Sequence, residues 1–318
     1  SEYAVQAAIL SKAVGRPVKV LWTRLEDMRQ DYYRPAFASR IEGAISADGL
    51  VTSLTHKVAG PGIWAYNRPL VVAHFDGVDH LAIEGANDLR YAIPNTRVDH
   101  VMTEPNQRIG YWRSIGYSHN VFFVECFLDE LAASVDADPY IVRRRLLDDD
   151  PRSVAVLETA AKRAGWFEAR PAGRHLGIAF FATERWQTRV AQVADVSVVD
   201  GTVRVNRITC VADVGKALNP LSVESQLQGA VVYGLSAVLY GQIDVEEGAV
   251  VQTAFSDYQV VTLPDAPLVD VHVIEGGGPF GSVGEIGTPC AAPAVVNAVS
   301  AAIGRRIRTL PLRRHGLV

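Results

Sequence analysis

The stretch Val190-Ala-Gln-Val-Ala-Asp-Val-Ser-Val-Val-Asp-Gly-Thr-Val-Arg-Val-Asn-Arg-Ile-Thr-Cys-Val-Ala-Asp213 decides the fold of this 318-residue chain. Two valine-rich segments, 190–199 and 202–213, are joined by Asp200-Gly201, a residue pair that favours a tight two-residue hairpin turn. Asn219-Pro220 then combines a helix N-cap with a proline at the first helical position, and an apolar segment follows to about residue 240. The sequence therefore predicts a long antiparallel hairpin followed by a buried helix.

Outward from this hairpin, strands and helices alternate without a strict strand–helix–strand rhythm. Further strands are predicted at about 18–22, 40–47, 50–59, 175–182, 249–255 and 268–275. Further helices are predicted at about 3–14, 118–135, 139–147, 153–164 and 289–303. This pattern predicts an α+β protein with two mixed α/β-layer domains.

Local signals fix several boundaries. Asp48-Gly49 predicts a second hairpin, and Thr23-Arg-Leu-Glu26 is a capping box at the start of a short helix. The polar break Asp148-Asp-Asp-Pro151 divides the chain into predicted domains 1–150 and 151–318. The segment 60–114 is long and irregular, and such segments are more often functional than idle.

Composition and charge exclude several classes of protein. The chain is 48% hydrophobic and 21% charged, as expected for a globular protein with sizeable cores. A net charge of −4 argues against nucleic-acid binding, and the arginines at 305–314 are interpreted as a solvated face. No apolar run reaches the ~18 residues that span a bilayer. The three cysteines are far apart and form no CxxC, so neither a disulfide framework nor a cysteine-based metal site is expected.

The histidines do not predict a metal site either. The segment His74-Phe-Asp76-Gly-Val-Asp79-His80 has suitable side chains, but its spacing matches no recognised ligand pattern. We interpret it as a solvated loop, and we predict no metal-ligating side chain in this chain.

One glycine-rich loop is the strongest candidate for chemistry. The segment 276–287 contains six glycines and one carboxylate, Glu285, between Gly284 and Gly287. Glycine lets a backbone approach a ligand closely, and the helix that follows points its N-terminal N–H groups back toward the loop. Apolar Val283 and Ile286 would leave the carboxylate partly desolvated and so a stronger base near neutral pH. A flexible surface turn with a solvated glutamate is an equally open interpretation of the pattern.

Two further segments are candidates. In 212–220 a strand end turns into a helix whose face carries Gln226, Gly229 and Gly234. A glycine inside a helix costs about 1 kcal/mol relative to alanine, so close approach of a cofactor or, more commonly, close helix packing must explain it. In 111–119, Arg113 and a glycine turn precede a helix N-terminus, as an anionic ligand requires, although a surface arginine near a cap explains the pattern too.

Taken together, these segments resemble the molybdenum hydroxylase family of the xanthine dehydrogenase and aldehyde oxidase type. The matching segments are Gly15-Arg-Pro-Val18 with Thr23-Arg-Leu-Glu-Asp-Met28, Tyr91-Ala-Ile-Pro-Asn95 with Trp112-Arg-Ser-Ile-Gly116, Ala212-Asp-Val-Gly215 with Asn219-Pro220 and Gln226-Leu-Gln-Gly229, and Val283-Gly-Glu285. They keep the family's order and extend over the whole chain, which makes the set more specific than any single glycine loop. Within the family, Trp112-Arg-Ser and Ser118-His-Asn120 look most like the branch that contains the β chain of isoquinoline 1-oxidoreductase.

The resemblance implies the C-terminal part of a molybdopterin-binding large subunit, with Glu285 as general base. The implied cofactor is molybdopterin with molybdenum, in the cytosine dinucleotide form of bacterial members. The residues implied to contact it are Trp112, Arg113, Ser114, Gln226, Gly229 and Gly284. The implied reaction is hydroxylation of an N-heterocycle or oxidation of an aldehyde, with water as oxygen source. Electrons are implied to pass to a small partner subunit with 2Fe–2S clusters, and the branch implies a periplasmic location, with the cytoplasm as alternative.

Departures from the family leave alternatives open. The family's GGxFG loop and earlier cofactor contacts are absent, so we expect the chain to need the N-terminal part of the same subunit. Gln187-Thr-Arg189 replaces the usual Gly-Ser-Tyr, so no individual substrate is carried over, and Cys290 replaces a frequent proline in a position we expect to be packed. The alternative hypothesis is a non-catalytic half-subunit that contributes one wall of a cofactor site with a partner chain. A cofactor-free hydrolase is disfavoured because no nucleophile–base pair is visible.

Overall fold

The structure is a computed structural model that describes residues 2–318, and it has the α+β architecture that the sequence predicts. The helices are α1 (Glu2–Val14), α2 (Arg24–Gln30), α3 (Ile63–Asn67), α4 (Pro69–His74), α5 (His80–Ile83), α6 (Tyr117–Ser134), α7 (Pro139–Leu146), α8 (Pro151–Arg163), α9 (Pro220–Leu239) and α10 (Ala291–Ile303). The strands are β1 (Ala38–Ile45), β2 (Val51–Gly60), β3 (Asn95–Met102), β4 (Arg174–Thr183), β5 (Thr188–Val199), β6 (Thr202–Asp213), β7 (Val245–Glu246), β8 (Ala249–Val250) and β9 (Leu268–Ile274).

A four-stranded sheet in the order β4-β5-β6-β9 forms the centre of the second half. The first three strands are antiparallel neighbours, whereas β9 runs parallel to β6. At the hairpin between β5 and β6, Asp200 and Gly201 have φ of 50° and 79°. Both values are positive, as the tight turn predicted for this pair requires.

Both faces of this sheet are covered by helices. Since successive side chains point to opposite faces, Ile178 and Phe180 share a core with α8 on one side. Ala179 and Phe181 share a second core with α9 and α10 on the other side. This double burial explains why β4 reads as a continuous apolar run instead of an alternating one.

The first half is built on a smaller sheet in the order β1-β2-β3, in which β3 runs parallel to β2. The β1–β2 hairpin is as predicted, and Gly49 in its turn has φ of +84°. Helix α6 joins the two halves, because Val121 and Phe122 enter one core while Leu128 and Leu131 enter the other. The helices α7 and α8 begin at prolines capped by the side chains of Asp138 and Asp150.

Some local expectations were wrong. The segment 18–22 is not a buried strand: it has no strand partner, and Leu21 is 76% exposed. A short apolar run becomes a strand only where another strand is available to bond it, and none adjoins it here. The strand predicted at 249–255 is only Ala249–Val250, and the helix near Ser118 begins one residue earlier, at Tyr117.

Strand β3 and the three short helices α3, α4 and α5 lie in the segment 60–114, where the sequence predicted only irregular structure. Within residues 2–318, no helix combines the length and apolarity that crossing a bilayer requires.

Candidate active site

The glycine-rich loop before α10 is packed against the protein along its length, so the flexible-turn interpretation does not describe it. The N–H of Gly281 donates to the carbonyl of Val214 at 2.9 Å, and the N–H of Ser282 donates to the carbonyl of Trp186 at 3.0 Å. The backbone therefore follows the ends of β4 and β6, and it has a defined path up to Glu285.

Asp213, at the end of β6, fixes the first part of the loop. Its carboxylate accepts two hydrogen bonds from Arg152, at 2.7 and 2.8 Å, and others from the N–H groups of Gly215 and Gly276. Burial alone would raise the pKa of Asp213, but these bonds stabilise the carboxylate and hold its pKa below the usual range. The ionised side chain thus joins α8, β6 and the loop.

Gly215 sets how closely the loop approaches β6, and this gives a first testable prediction. It has φ of +71°, and a Cβ there would lie 1.8 Å from the carbonyl oxygen of Pro279. Gly215→Ala in the intact subunit should therefore lower the free energy of unfolding by about 1–3 kcal/mol more than a matched glycine substitution does.

The matched control is Gly201→Ala, where φ is +79° and no atom lies within 4 Å of the added Cβ. Chemical denaturation with both variants measures the difference, and limited proteolysis reports whether the loop is displaced. Equal destabilisation by the two substitutions would show that the loop does not depend on this close approach.

Glu285 is held by a turn 171 residues earlier in the chain. Its Oε2 accepts a hydrogen bond from the backbone N–H of Ser114, and the Ser114 hydroxyl donates to the Glu285 carbonyl at 2.5 Å. The carboxylate is half-buried, next to half-buried Val283 and fully buried Ile286. The structure thus presents one oriented carboxylate in a largely apolar setting.

The turn that holds Glu285 has an uncommon backbone. Ser114 and Ile115 have φ of +74° and +45°, in a region that non-glycine residues rarely adopt. The following Gly116 permits close contact with α5, since a Cβ there would lie 2.1 Å from the Leu81 carbonyl oxygen. Two consecutive residues in this region are maintained only by surrounding contacts, and such strain concentrates at functional sites.

Arg113 brings a third segment to the same place. Its Nε donates to the Gly284 carbonyl at 2.6 Å, and its Nη2 donates to Oε1 of Gln226 on α9 at 2.9 Å. Trp112 packs against Tyr233, also on α9, with ring centroids 4.8 Å apart. The turn at 112–116, helix α9 and the loop before α10 therefore form one surface.

Comparison with known families shows what this surface belongs to. Residues 1–147 match a family described as "Molybdopterin cofactor-binding domain", and residues 164–267 match a second family model with the same description. The two matches together take in most of the chain. The chain belongs to the molybdopterin cofactor-binding family.

Curated relatives of this molybdopterin cofactor-binding chain are longer than the chain itself. The β chain of isoquinoline 1-oxidoreductase from Brevundimonas diminuta is 30% identical, over 97% of this chain and 40% of that one. The membrane-bound aldehyde dehydrogenase (pyrroloquinoline-quinone) of Gluconacetobacter polyoxogenes is 29% identical, over 98% and 44%. One of the polypeptides of nicotinate dehydrogenase from Pseudomonas putida is 29% identical, over 98% and 28%. The chain spans less than half of the length of each.

Solved structures share the fold. Quinoline 2-oxidoreductase from Pseudomonas putida 86 superposes with a TM-score of 0.82 at 15% identity, over 96% of this chain and 64% of that one. Aldehyde oxidoreductase from Desulfovibrio gigas gives a TM-score of 0.74 at 16% identity, over 96% and 51%. At such identities the likeness shows the fold, and it confirms the predicted α+β class.

The glycines on the molybdopterin cofactor-binding surface differ in what surrounds them. A Cβ on Gly234 would lie 2.9 Å from the Cβ of Ala291, so this glycine allows close packing of α9 against α10. At Gly229 and Gly284, by contrast, no atom lies within 4 Å of the position that a Cβ would take. These two positions line open space beside Arg113 and Gln226, so the surface leaves room for a bulky group.

Sequence reasoning missed Gln192, a buried residue that positions the loop. Its Nε2 donates to the Gly287 carbonyl at 2.7 Å from the centre of β5. Gln192 is fully buried, and a lone amide in the apolar run 190–194 is the signal that could have identified it. It fixes the end of the loop two residues beyond Glu285.

Other residues noted in the sequence have structural roles. Cys290 is fully buried in the core, where burial raises the pKa of its thiol well above the usual value, in keeping with the expected packing role. Asp79 caps α5 and is buried. Across residues 2–318, no group of three or more His, Cys, Asp or Glu side chains is placed to hold a metal ion. Trp186, in the turn that departs from the family pattern, packs against Tyr117 with centroids 4.9 Å apart.

Proposed function

We propose that this chain is the C-terminal part of the molybdenum-binding subunit of an oxidoreductase. The proposed reaction is hydroxylation of an N-heterocycle or oxidation of an aldehyde, with water as oxygen source. One observation carries the proposal: Glu285, Arg113 and Gln226, from three distant segments, meet at one surface through direct hydrogen bonds. The names of the relatives, which include isoquinoline, nicotinate and aldehyde oxidoreductases, support these two substrate classes.

The residues at this surface fit a molybdopterin. Open space at Gly229 and Gly284 admits a large planar group next to the backbone, since side chains at these positions would fill it. Gln226 uses its amide oxygen to hold Arg113, which leaves the amide N–H groups for a ligand. We propose that Trp112, Arg113 and Ser114 form one edge of the cofactor site and that Gln226, Gly229 and Gly284 form the other. The nucleotide form proposed is the cytosine dinucleotide.

The proposed role of Glu285 is general base. The Ser114 N–H orients Oε2, and among the hydrogen bonds of residues 2–318 none reaches Oε1, which is left to take a proton. The apolar neighbours keep water from competing for the carboxylate. When bound, the molybdenum cofactor supplies the two-electron oxidation, which these side chains cannot carry out themselves. We propose that the electrons leave through a small subunit with 2Fe–2S clusters.

Molybdenum content tests this proposal directly. The complex should be purified from its native cell with the full reading frame and its neighbouring subunit, and analysed by inductively coupled plasma mass spectrometry. We expect about one molybdenum atom per subunit, with cytidine monophosphate released by mild hydrolysis. An intact, folded complex without molybdenum would refute the proposal and favour a non-catalytic half-subunit instead.

A further inference from the structure

A second cation lies beside the proposed site without an acidic partner. The guanidinium of Arg34 lies over the ring of Trp112, 4.5 Å from its centroid, and its Nη2 donates to the Ser118 hydroxyl at 3.0 Å. The backbone next to it is fixed, because Tyr33 exchanges hydrogen bonds with the backbone of Arg108 and Gly110, each at 2.9 Å. Arg34 is therefore held against the same turn that holds Glu285.

The charge of Arg34 is available to a ligand. Among residues 2–318 it forms no salt bridge with a carboxylate, and its neighbours Tyr233 and Tyr258 are phenols. Although Arg34 remains exposed at the groove, the protein atoms around its guanidinium lower its pKa to about 10, so it stays cationic at neutral pH. Stacking on Trp112 uses the flat face of the guanidinium and leaves the in-plane N–H donors beyond Nη2 for an anion.

Next to Arg34 is a pocket with about 260 Å³ of space and mostly apolar walls. Its lining includes Phe37, Pro61, Ile63, Leu81, Ile115 and His119. The His119 imidazole stacks on Phe37 with centroids 3.8 Å apart and donates to the Ala82 carbonyl at 3.1 Å. Burial, followed by the charge of Arg34, lowers the pKa of His119 well below its usual value, so the imidazole is neutral. The pocket thus combines an apolar space of about ring size with one cation at its edge.

We propose that this pocket binds an aromatic carboxylic acid, with the ring between the apolar walls and the carboxylate on Arg34. A planar carboxylate matches the fork of donors that a guanidinium presents. The pocket and Glu285 share the 112–116 turn, because Trp112 and Ile115 line the pocket while Ser114 binds Glu285. This inference rests on the proposed function and narrows its substrate class to aromatic rings that carry an acid group.

Benzoate and its neutral analogue benzamide are the probes that test the inference. Their dissociation constants should be measured by isothermal titration calorimetry on the purified complex and on three variants, Arg34→Gln, Arg34→Lys and Arg97→Gln. We expect Arg34→Gln to weaken benzoate roughly 10- to 100-fold, the usual effect of losing a charge-assisted hydrogen bond, and to leave benzamide unchanged. Arg34→Lys should retain part of the benzoate affinity. Arg97→Gln is the matched control, because Arg97 is exposed and paired with Asp99 on β3.

Other outcomes would overturn the inference. Equal weakening of benzoate and benzamide would give Arg34 a packing role, and failure of the wild-type complex to bind benzoate would exclude this ligand class. A fall in molybdenum or nucleotide content in Arg34→Gln, with benzoate affinity unchanged, would assign Arg34 to a cofactor phosphate. Molybdenum is measured in the same samples. A complex that lacks the metal yet distinguishes benzoate through Arg34 would refute the proposed function and retain the pocket.

Discussion

The Glu285→Gln variant is expected to lower kcat by about 10²- to 10⁴-fold, the range that a positioned general base contributes. Glutamine keeps the size of the side chain and an acceptor oxygen for the Ser114 N–H, so the contact between the loop and the 112–116 turn should survive. What is lost is the ability to take up a proton. Steady-state turnover per molybdenum atom, measured on the intact complex, checks this expectation.

Glu275→Gln provides the matched control. Glu275 begins the same loop but is exposed, so its variant should retain near wild-type kcat. Molybdenum content should be the same in both variants and in the wild type, which separates a catalytic defect from a loss of cofactor. Near wild-type turnover per molybdenum atom in Glu285→Gln would rule out Glu285 as the base.

Arg143→Met is expected to destabilise the first half of the chain by about 3–5 kcal/mol, the usual cost of leaving a buried charge unpaired. Glu125 and Arg143 are 1% and 0% exposed, and Arg143 Nε donates to Glu125 Oε2 at 2.8 Å. The Glu125 carboxylate also accepts from the Tyr91 hydroxyl at 2.7 Å and from the Phe180 N–H at 2.9 Å. This pair therefore connects α6, α7 and β4, and its loss should be felt in both cores.

Equilibrium denaturation of the intact subunit tests the value of this pair. Arg308→Met is the control, since Arg308 forms a comparable pair with Glu130 that is 71% and 21% exposed, and its loss should cost less than about 1 kcal/mol. The double variant Glu125→Gln with Arg143→Met should recover part of the loss, because no unpaired buried charge remains. Similar destabilisation by Arg143→Met and Arg308→Met would show that burial of the pair has no particular importance.

Elements defined by neighbouring residues were predictable from the sequence. The β5–β6 hairpin depends on two turn residues with positive φ, and the start of α9 depends on Asn219, whose side chain accepts from the Ser222 N–H. The capping box of Thr23 and Glu26 is formed as predicted. In each case the stabilising contact lies within four residues, so the local pattern contains the information.

Parallel strands were not predictable in the same way. Strand β3 pairs with β2, and β9 pairs with β6, across long connections that leave no local signature. The segment 18–22 shows the opposite error, because its apolar pattern is typical of a strand but no strand lies beside it. Pairing is decided by which segments meet in space, and a single sequence does not record that directly.

The sequence by itself singled out Glu285, because a lone carboxylate within a glycine-rich loop is an uncommon pattern. It also indicated Arg113 and Gln226 separately, each beside a helix start or on a helix face. Only the tertiary structure decided that these side chains meet, and that Arg34 lies against Trp112 with its charge unpaired. The physical reason is that hydrogen bonds of a few ångströms join residues up to 171 positions apart, and only the packing of both cores brings such residues together.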